Sequence, residues 1–320
     1  SAASDVYKRQ GRILINASSS NAQGAIGNFI ELNKVLVLRR TGEGFELAEA
    51  PAVSGNMLKH WHFVTTMELL KQEGERGFCE YCGRGVGYRT PLSRGDDESQ
   101  YIECPGEDLH GFLMPDRQVR RESLVKFAFA LPVEDGNVES GVQSITHNRV
   151  VANERGRIEA EGMMPFKRQY ASALYGFAVA MDLPYVGKRT SSADREPVID
   201  RERRRRRAKC AVLALLHMLS GAVGASQSRS LPAASPVEIV ALASEKPLPM
   251  AVHGFYSDYV EQCAKLFKSY SGALGVSVRV YTYPSDMTGK FEGGNLSARG
   301  FDDWAELIKS LAEDVEAAID

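Results

Sequence analysis

Apolar, strand-forming runs alternate with two strong helical segments along this chain, and that interleaving limits the fold more than any other feature. "RILINAS" (12–18) reads as a core strand, and "YASALYGFAVAMDL" (170–183) is long and apolar enough for a central one. "PVEIVALASE" (236–245) and "VSVRVYTY" (276–283) read as further strands. The first convincing helix spans 54 to about 73, where Met57, Leu58, Trp61, Val64, Thr65 and Leu69 fall near helical spacing; the second spans 198–221. A helix over 256–271 and an amphipathic terminal helix over 301–319 follow the same logic. "KVLVLRRTGEGFELAEAP" (34–51) reads as two strands around a Thr-Gly-Glu-Gly turn, and "SLVKFAFALPV" (123–133) as one strand. The expectation is an α+β fold around one sheet, with no internal repeat and no regular double winding.

Two polar excursions interrupt the pattern. Residues 74–115 are rich in glycine and charge and hold three of the five cysteines; residues 134–162 contain few large apolar side chains and are expected to project from the core. With 43% hydrophobic residues, a chain of 320 residues can bury a sizeable core. The leader 1–10, "SAASDVYKRQ", lacks the apolar middle of a signal peptide. Because "DVYKRQ" looks like a translated adapter, the leader is set aside, and 11–320 is read as one elaborated domain. The most apolar run, "CAVLALLHMLSGAV", is too short to span a bilayer. An odd, sparse set of cysteines does not form a secreted disulfide framework. A cytoplasmic, membrane-free protein is expected.

No Walker loop, dinucleotide glycine fingerprint, HExxH or GxSxG motif occurs, so no enzyme is nominated. The "GRGVG" at 83–87 follows a Cys pair and leads into no helix, which removes it as a phosphate loop. The cysteines say more. Cys79 and Cys82 form a C-x-x-C pair, and Cys104 with His110 follows after a gap of 21 residues. Three thiolates and an imidazole suit a tetrahedral, structural zinc ion; the bland alternative is three thiols and a surface histidine.

Net charge is −2, from 39 basic and 41 acidic side chains, so any nucleic-acid surface must be local. "PAVSGNMLKHWH" (51–62) opens the first helix with Ser54, Gly55, Asn56, Lys59 and His60. A helix N-terminus has free N–H groups and partial positive charge, which suits phosphate. Trp61 is read as core. "RERRRRR" (201–207) feeds straight into an apolar run and is read as the start of a packed helix, with some arginines expected to point outward, toward a partner or phosphates. After that helix, Ser226, Gln227, Ser228 and Arg229 form a polar loop in which Arg229 supplies a forked donor. An ordinary helix-to-strand loop is the equal alternative.

The order of these stretches carries a resemblance. "RILINASSSNAQGAIGNFIELNKVLVL", "PAVSGNMLKHWH", "MMPFKRQYASALYGFAVAMDL" and "GAVGASQSRSLP" together resemble the CRISPR-associated autoregulator family. That family supplies the repeating crRNA-binding backbone subunit of type I Cascade complexes, and the likeness is nearest to type I-A. It implies an RRM-like (ferredoxin-like) palm with inserted finger (74–115) and thumb (134–162) regions. It also implies a non-catalytic ribonucleoprotein of antiviral defence, whose copies form a helical filament along the guide. Implied partners are crRNA, target DNA through guide pairing, further copies of the chain, the large, small and handle-capping Cascade subunits, and the helicase-nuclease. Carried over by position, Ser54, Gly55, Asn56, Lys59, His60 and Ser226 to Arg229 face RNA. Asn21 lies in the matching N-terminal loop, and His147 and Arg149 are thumb contacts. The CxxC-bearing insertion, whose finger is expected to be metal-clipped, departs from the family pattern. Related type III backbone subunits cut target RNA with a loop aspartate; Asp135 lies near the thumb, but the resemblance gives no match between it and that position, so cleavage is not expected.

Two other readings compete. One is a metal-dependent RNA-processing nuclease using His60, His147 and nearby carboxylates; the other is a zinc-stabilised protein-interaction module that binds no nucleic acid.

Overall fold

The computed structural model describes residues 6–18, 22–26, 29–88, 95–135, 142–149, 164–193, 195–222 and 231–320. The chain opens with β1 (Val6–Ser18), a hairpin of β2 (Ala22–Ile26) and β3 (Phe29–Leu32), and a second hairpin of β4 (Lys34–Thr41) and β5 (Gly44–Pro51). Helix α1 (Gly55–Gln72) follows. The first excursion holds the short helices α2 (Glu80–Gly83), α3 (Ser99–Ile102) and α4 (Pro105–His110), then a small hairpin of β6 (Phe112–Met114) and β7 (Val119–Arg121). Next come β8 (Val125–Phe127) and β9 (Leu131–Pro132), then β10 (Val142–Arg149) within the second excursion, and the long β11 (Met164–Met181). Helix α5 (Arg201–Leu219), β12 (Ala233–Ser244), α6 (Tyr259–Leu274), β13 (Val278–Tyr283), β14 (Leu296–Gly300) and α7 (Trp304–Ala318) complete the order.

β1 occupies the middle of the main sheet, antiparallel to β11 on one side and to β12 on the other. β13 pairs antiparallel with β12, and β14 runs parallel to β13. β8, β9 and β10 all pair antiparallel with β11, and β3 pairs parallel with it. The strand order β12–β1–β11–β8 is thus linked by α1 between β1 and β8 and by α5 between β11 and β12. The set-aside leader enters this ladder from Val6 onward, with Tyr7 opposite Met181 and Lys8 opposite Ala180. Of the second excursion, residues 142–149 form a strand whose register runs from Val142 opposite Ala171 to Arg149 opposite Met164. Residues 136–141 and 150–163 lie outside the described residues.

The strand expected over 123–133 is split in two. After β8 the backbone leaves β11, and Ala130 exchanges two hydrogen bonds with Val53, of 2.9 and 3.0 Å. This detour fixes the residue just before the start of α1.

The sheet buries both faces where β12 crosses it. Ile239, Ala241 and Ala243 pack with α1, α5 and α7 on one face, whereas Val240 and Leu242 pack with α6 on the other. Successive strand side chains point to opposite faces, so a strand covered on both sides reads as a continuous apolar run. The main core joins Phe63, Met67 and Leu70 of α1, Ala211, Leu215 and Met218 of α5, and Leu307, Leu311 and Val315 of α7. Trp61 packs against its edge as expected. Among the described residues, no helix is long and apolar enough to cross a membrane.

Candidate functional site

The start of α1 is built by its neighbours. Ser54 holds an extended backbone, and its hydroxyl accepts from the Met57 N–H at 3.2 Å, a standard N-cap. Gly55 is pressed against β8, where an added Cβ would run into the Phe127 carbonyl. Its small size therefore serves packing at this point. Asn56 and His60 are exposed, and Ser54, Gly55 and Lys59 are half-buried. His60 meets Trp61 edge to face, with ring centroids 5.6 Å apart. The first turn of α1 carries no acidic residue, so the positive end of the helix dipole is not offset from within the helix. Ser54, Gly55, Asn56, Lys59 and His60 thus share one helix start. Asn21 and Ser226, Gln227, Ser228 and Arg229 lie outside the described residues. His147 and Arg149 stand in β10 opposite Phe166 and Met164.

The arginine run begins a packed helix, as expected, and most of its side chains turn inward. Arg203, Arg204 and Arg207 are buried, Arg205 and Arg206 half-buried, and only Arg201 and Glu202 of 201–207 are exposed. A buried guanidinium needs carboxylate and carbonyl partners, and the first excursion supplies most of them. Arg203 Nε donates to Glu75 at 2.8 Å and Nη1 to Glu103 at 2.7 Å. Arg207 donates to Glu75 at 3.0 Å, Asp108 at 2.8 Å and the carbonyls of Ile102 and Glu103, each at 2.7 Å. Arg121 extends the network to Asp108 at 2.7 Å and Glu98 at 2.5 Å. Arg204 instead donates to the carbonyls of Val186, Pro184 and Asp320. The run is a bolt between α5 and the excursion.

Two carboxylates show how far such pairing reaches. Burial alone would raise the Glu98 carboxyl, but hydrogen bonds from Ser191 and the charge of Arg121 outweigh it and leave it below its ordinary value. Burial would likewise raise Glu134, yet Arg40 and Ser257 hold it at about 2. Glu134 also accepts from Arg39 at its backbone carbonyl, at 2.8 Å, which ties the β4–β5 hairpin to the base of the second excursion.

The three cysteines come together, with Glu107 rather than His110 beside them. The donor atoms of Cys79, Cys82, Cys104 and Glu107, all buried, lie within 4.8 Å of one another, an arrangement able to hold a metal ion. His110 does not join them. Its Nε2 sits 2.8 Å from Nδ1 of buried His62, whose own Nε2 lies 2.7 Å from the Ala211 carbonyl. A carbonyl only accepts, so His62 carries its proton on Nε2 and accepts from His110. The physical reason for the correction is helical spacing: α4 turns Glu107 toward Cys104 and carries His110 toward α1. The missed signal was a second matched spacing, for Cys104-Pro-Gly-Glu107 repeats the separation of Cys79-Glu-Tyr-Cys82.

Hydrogen bonds from Cys104 and Cys82 pull the Cys79 thiol well below its ordinary value, whereas the same neighbourhood raises Cys82. Cys210 and Cys263 lie elsewhere in the cores, and burial pushes each up to about 12.

Residues 10–264 match the family described as "DevR: CRISPR-associated negative auto-regulator DevR/Csa2". A protein of Methanocaldococcus jannaschii named "CRISPR-associated protein Cas7/Cst2/DevR" is 40% identical over 298 residues, covering 86% of this chain and 92% of its own. One of the same name from Thermoproteus tenax is 39% identical, covering 86% of each. The "CRISPR-associated aCascade subunit Cas7/Csa2 2" of Saccharolobus solfataricus is 24% identical over 78% of this chain and 83% of that protein. A solved chain titled "CRISPR RNA-guided surveillance complex, pre-nicking" aligns over 97% of this chain and all of its own, with 12% identity and a TM-score of 0.49. With a family match over 10–264 and a relative 40% identical across most of both chains, this protein belongs to the DevR/Csa2 family of CRISPR-associated proteins.

Proposed function

We propose that the chain is a non-catalytic, crRNA-binding backbone subunit of a type I CRISPR surveillance complex. It repeats along the guide and presents it for pairing with target DNA. The observation that carries this reading is the acid-free, donor-rich start of α1, with Asn56 and His60 exposed, on a chain of this family. Phosphate contacts of this kind hold any sequence alike, as a guide-binding subunit requires. Support for an RRM-like palm comes from the strand–helix–strand–strand–helix–strand order with β12–β1–β11–β8 in space. In this reading 74–115 is the inserted finger and 134–162 the thumb. Partners in this reading are crRNA, target DNA, further copies of the chain and the other Cascade subunits with the helicase-nuclease, in the cytoplasm. The reading gives metal no part in chemistry.

Purified protein should carry RNA, raising absorbance at 260 nm relative to 280 nm, and sequencing should return discrete repeat-derived guides. Protein free of nucleic acid would favour the interaction module. Cutting of added RNA that depends on divalent metal would favour the nuclease.

A further inference from the structure

We propose that Cys79, Cys82, Cys104 and Glu107 bind one zinc ion as a closed Cys3Glu site, and that His110 lies outside its ligand set. The arrangement has the marks of a built site. Cys79 ends an extended segment and caps α2, its sulfur accepting from the Cys82 N–H at 3.4 Å, while the Cys104 sulfur accepts from the Cys79 N–H at 3.3 Å. Such N–H···S bonds stabilise thiolates and orient them, as supporting hydrogen bonds do in metal centres. Gly106 closes the cradle, since a Cβ there would collide with the Cys82 sulfur and the Phe63 ring. Glu107, only 2% exposed, turns its carboxylate toward three sulfurs. Four acidic donors gathered in a buried pocket repel one another once ionised, and a divalent cation among them offsets much of that penalty.

The donor set selects the metal. Thiolates are soft ligands, which favour zinc over magnesium or calcium. At the ~2.3 Å of a zinc–thiolate bond, tetrahedral sulfurs stand roughly 3.8 Å apart, so donor atoms already within 4.8 Å need only a small contraction. Four protein ligands leave no position for water, and the ion is structural. The arms that carry the ligands are also held from behind. Arg203 binds the Arg76 carbonyl near Cys79, and Arg207 binds the Ile102 and Glu103 carbonyls beside Cys104 and Asp108 beside Glu107. Zinc and arginine bolt would fix the same two backbone segments.

Elemental analysis of protein purified without chelator should find about one zinc per chain. Cys104→Ser and Glu107→Ala should lose it, whereas His110→Ala should keep it. Glu107→Cys supplies a thiolate as fourth donor and should retain zinc, which separates lost ligation from lost folding. Cobalt substitution should give a tetrahedral visible spectrum, and its thiolate charge-transfer bands should grow in Glu107→Cys. Folded wild-type protein that holds no zinc and takes up none when it is added overturns the site. Zinc kept by Glu107→Ala but lost by His110→Ala overturns the ligand set. Zinc kept by every variant marks an adventitious surface ion and overturns it too.

Discussion

Helices α1 and α5 pack against each other and both begin with residues suited to anions, yet they direct those residues oppositely. α5 is capped by Asp200, whose carboxylate accepts from the Arg203 N–H at 2.9 Å, and carries Glu202 in its first turn. Its arginines turn inward to Glu75, Glu103 and Asp108. α1 is capped by neutral Ser54 and has no acid in its first turn, and its Asn56 and His60 face outward. The denser positive charge is therefore largely internal, whereas α1 offers Asn56 and His60 to solvent. What separates the two is where the chain places its carboxylates. The 74–115 excursion sends Glu75, Glu103 and Asp108 to α5. A run of like charge becomes a surface only if nothing in the same chain neutralises it.

The largest expected effect tests the internal half of that contrast. Glu75 has a fully buried side chain that pairs with Arg203, Arg206 and Arg207. Glu75→Ala should cost about 3–5 kcal/mol, because it leaves buried guanidinium charge without its counter-ion. A urea unfolding curve measures it. RNA affinity of the fraction that remains folded should match wild type. Unchanged stability, or RNA binding lost from a fully stable variant, would break the contrast at its stronger end.

That network also shows where sequence reading stops. The helices at 54–73, 198–221 and 301–319, the hairpin over 34–51 and the strand over 276–283 follow from apolar period and turn chemistry, which are local. So does the Ser54 cap. The bolt was illegible because its acids lie about a hundred residues or more from their arginines, and no local rule pairs them. Glu107 was missed for a different reason: a carboxylate among cysteines reads as surface charge until α4 turns it inward. His110 looked like a ligand because histidine after cysteine is a common zinc pattern, but nothing local reveals His62 as its partner. The split of 123–133 into β8 and β9 depends on Val53 from another segment. The remaining RNA-facing residues named from the resemblance, beyond the start of α1, lie outside the described residues or have no described side chain.

A smaller effect separates packing from recognition at Gly55. If its lack of a side chain serves the close approach of Phe127, Gly55→Ala should destabilise the fold by about 1–3 kcal/mol, as overpacking does. The shift should appear in the urea midpoint at unchanged slope. Should stability hold while RNA binding falls, the missing side chain instead makes room for ligand, and α1 resembles a phosphate cradle more closely than its packing suggests.

The smallest effect concerns the exposed half of the contrast, and it decides which helix start faces RNA. Lys59 stands one turn into α1, and Arg201 is exposed at the opening of α5. If α1 alone cradles phosphate, Lys59→Glu should weaken binding of single-stranded RNA roughly tenfold, the loss of one charged hydrogen bond of about 1.4 kcal/mol. The loss should be equal for every RNA sequence, since phosphate carries no base identity. The slope of log affinity against log salt should also shrink by roughly 0.7, as expected when one fewer phosphate of a single strand is neutralised. Arg201→Glu should change neither quantity, although it reverses a charge in the more basic segment. Titration of one non-specific RNA at two salt concentrations reads all of these. A tenfold loss in Arg201→Glu with none in Lys59→Glu would exchange the two helices' roles and place the RNA groove beside the arginine bolt.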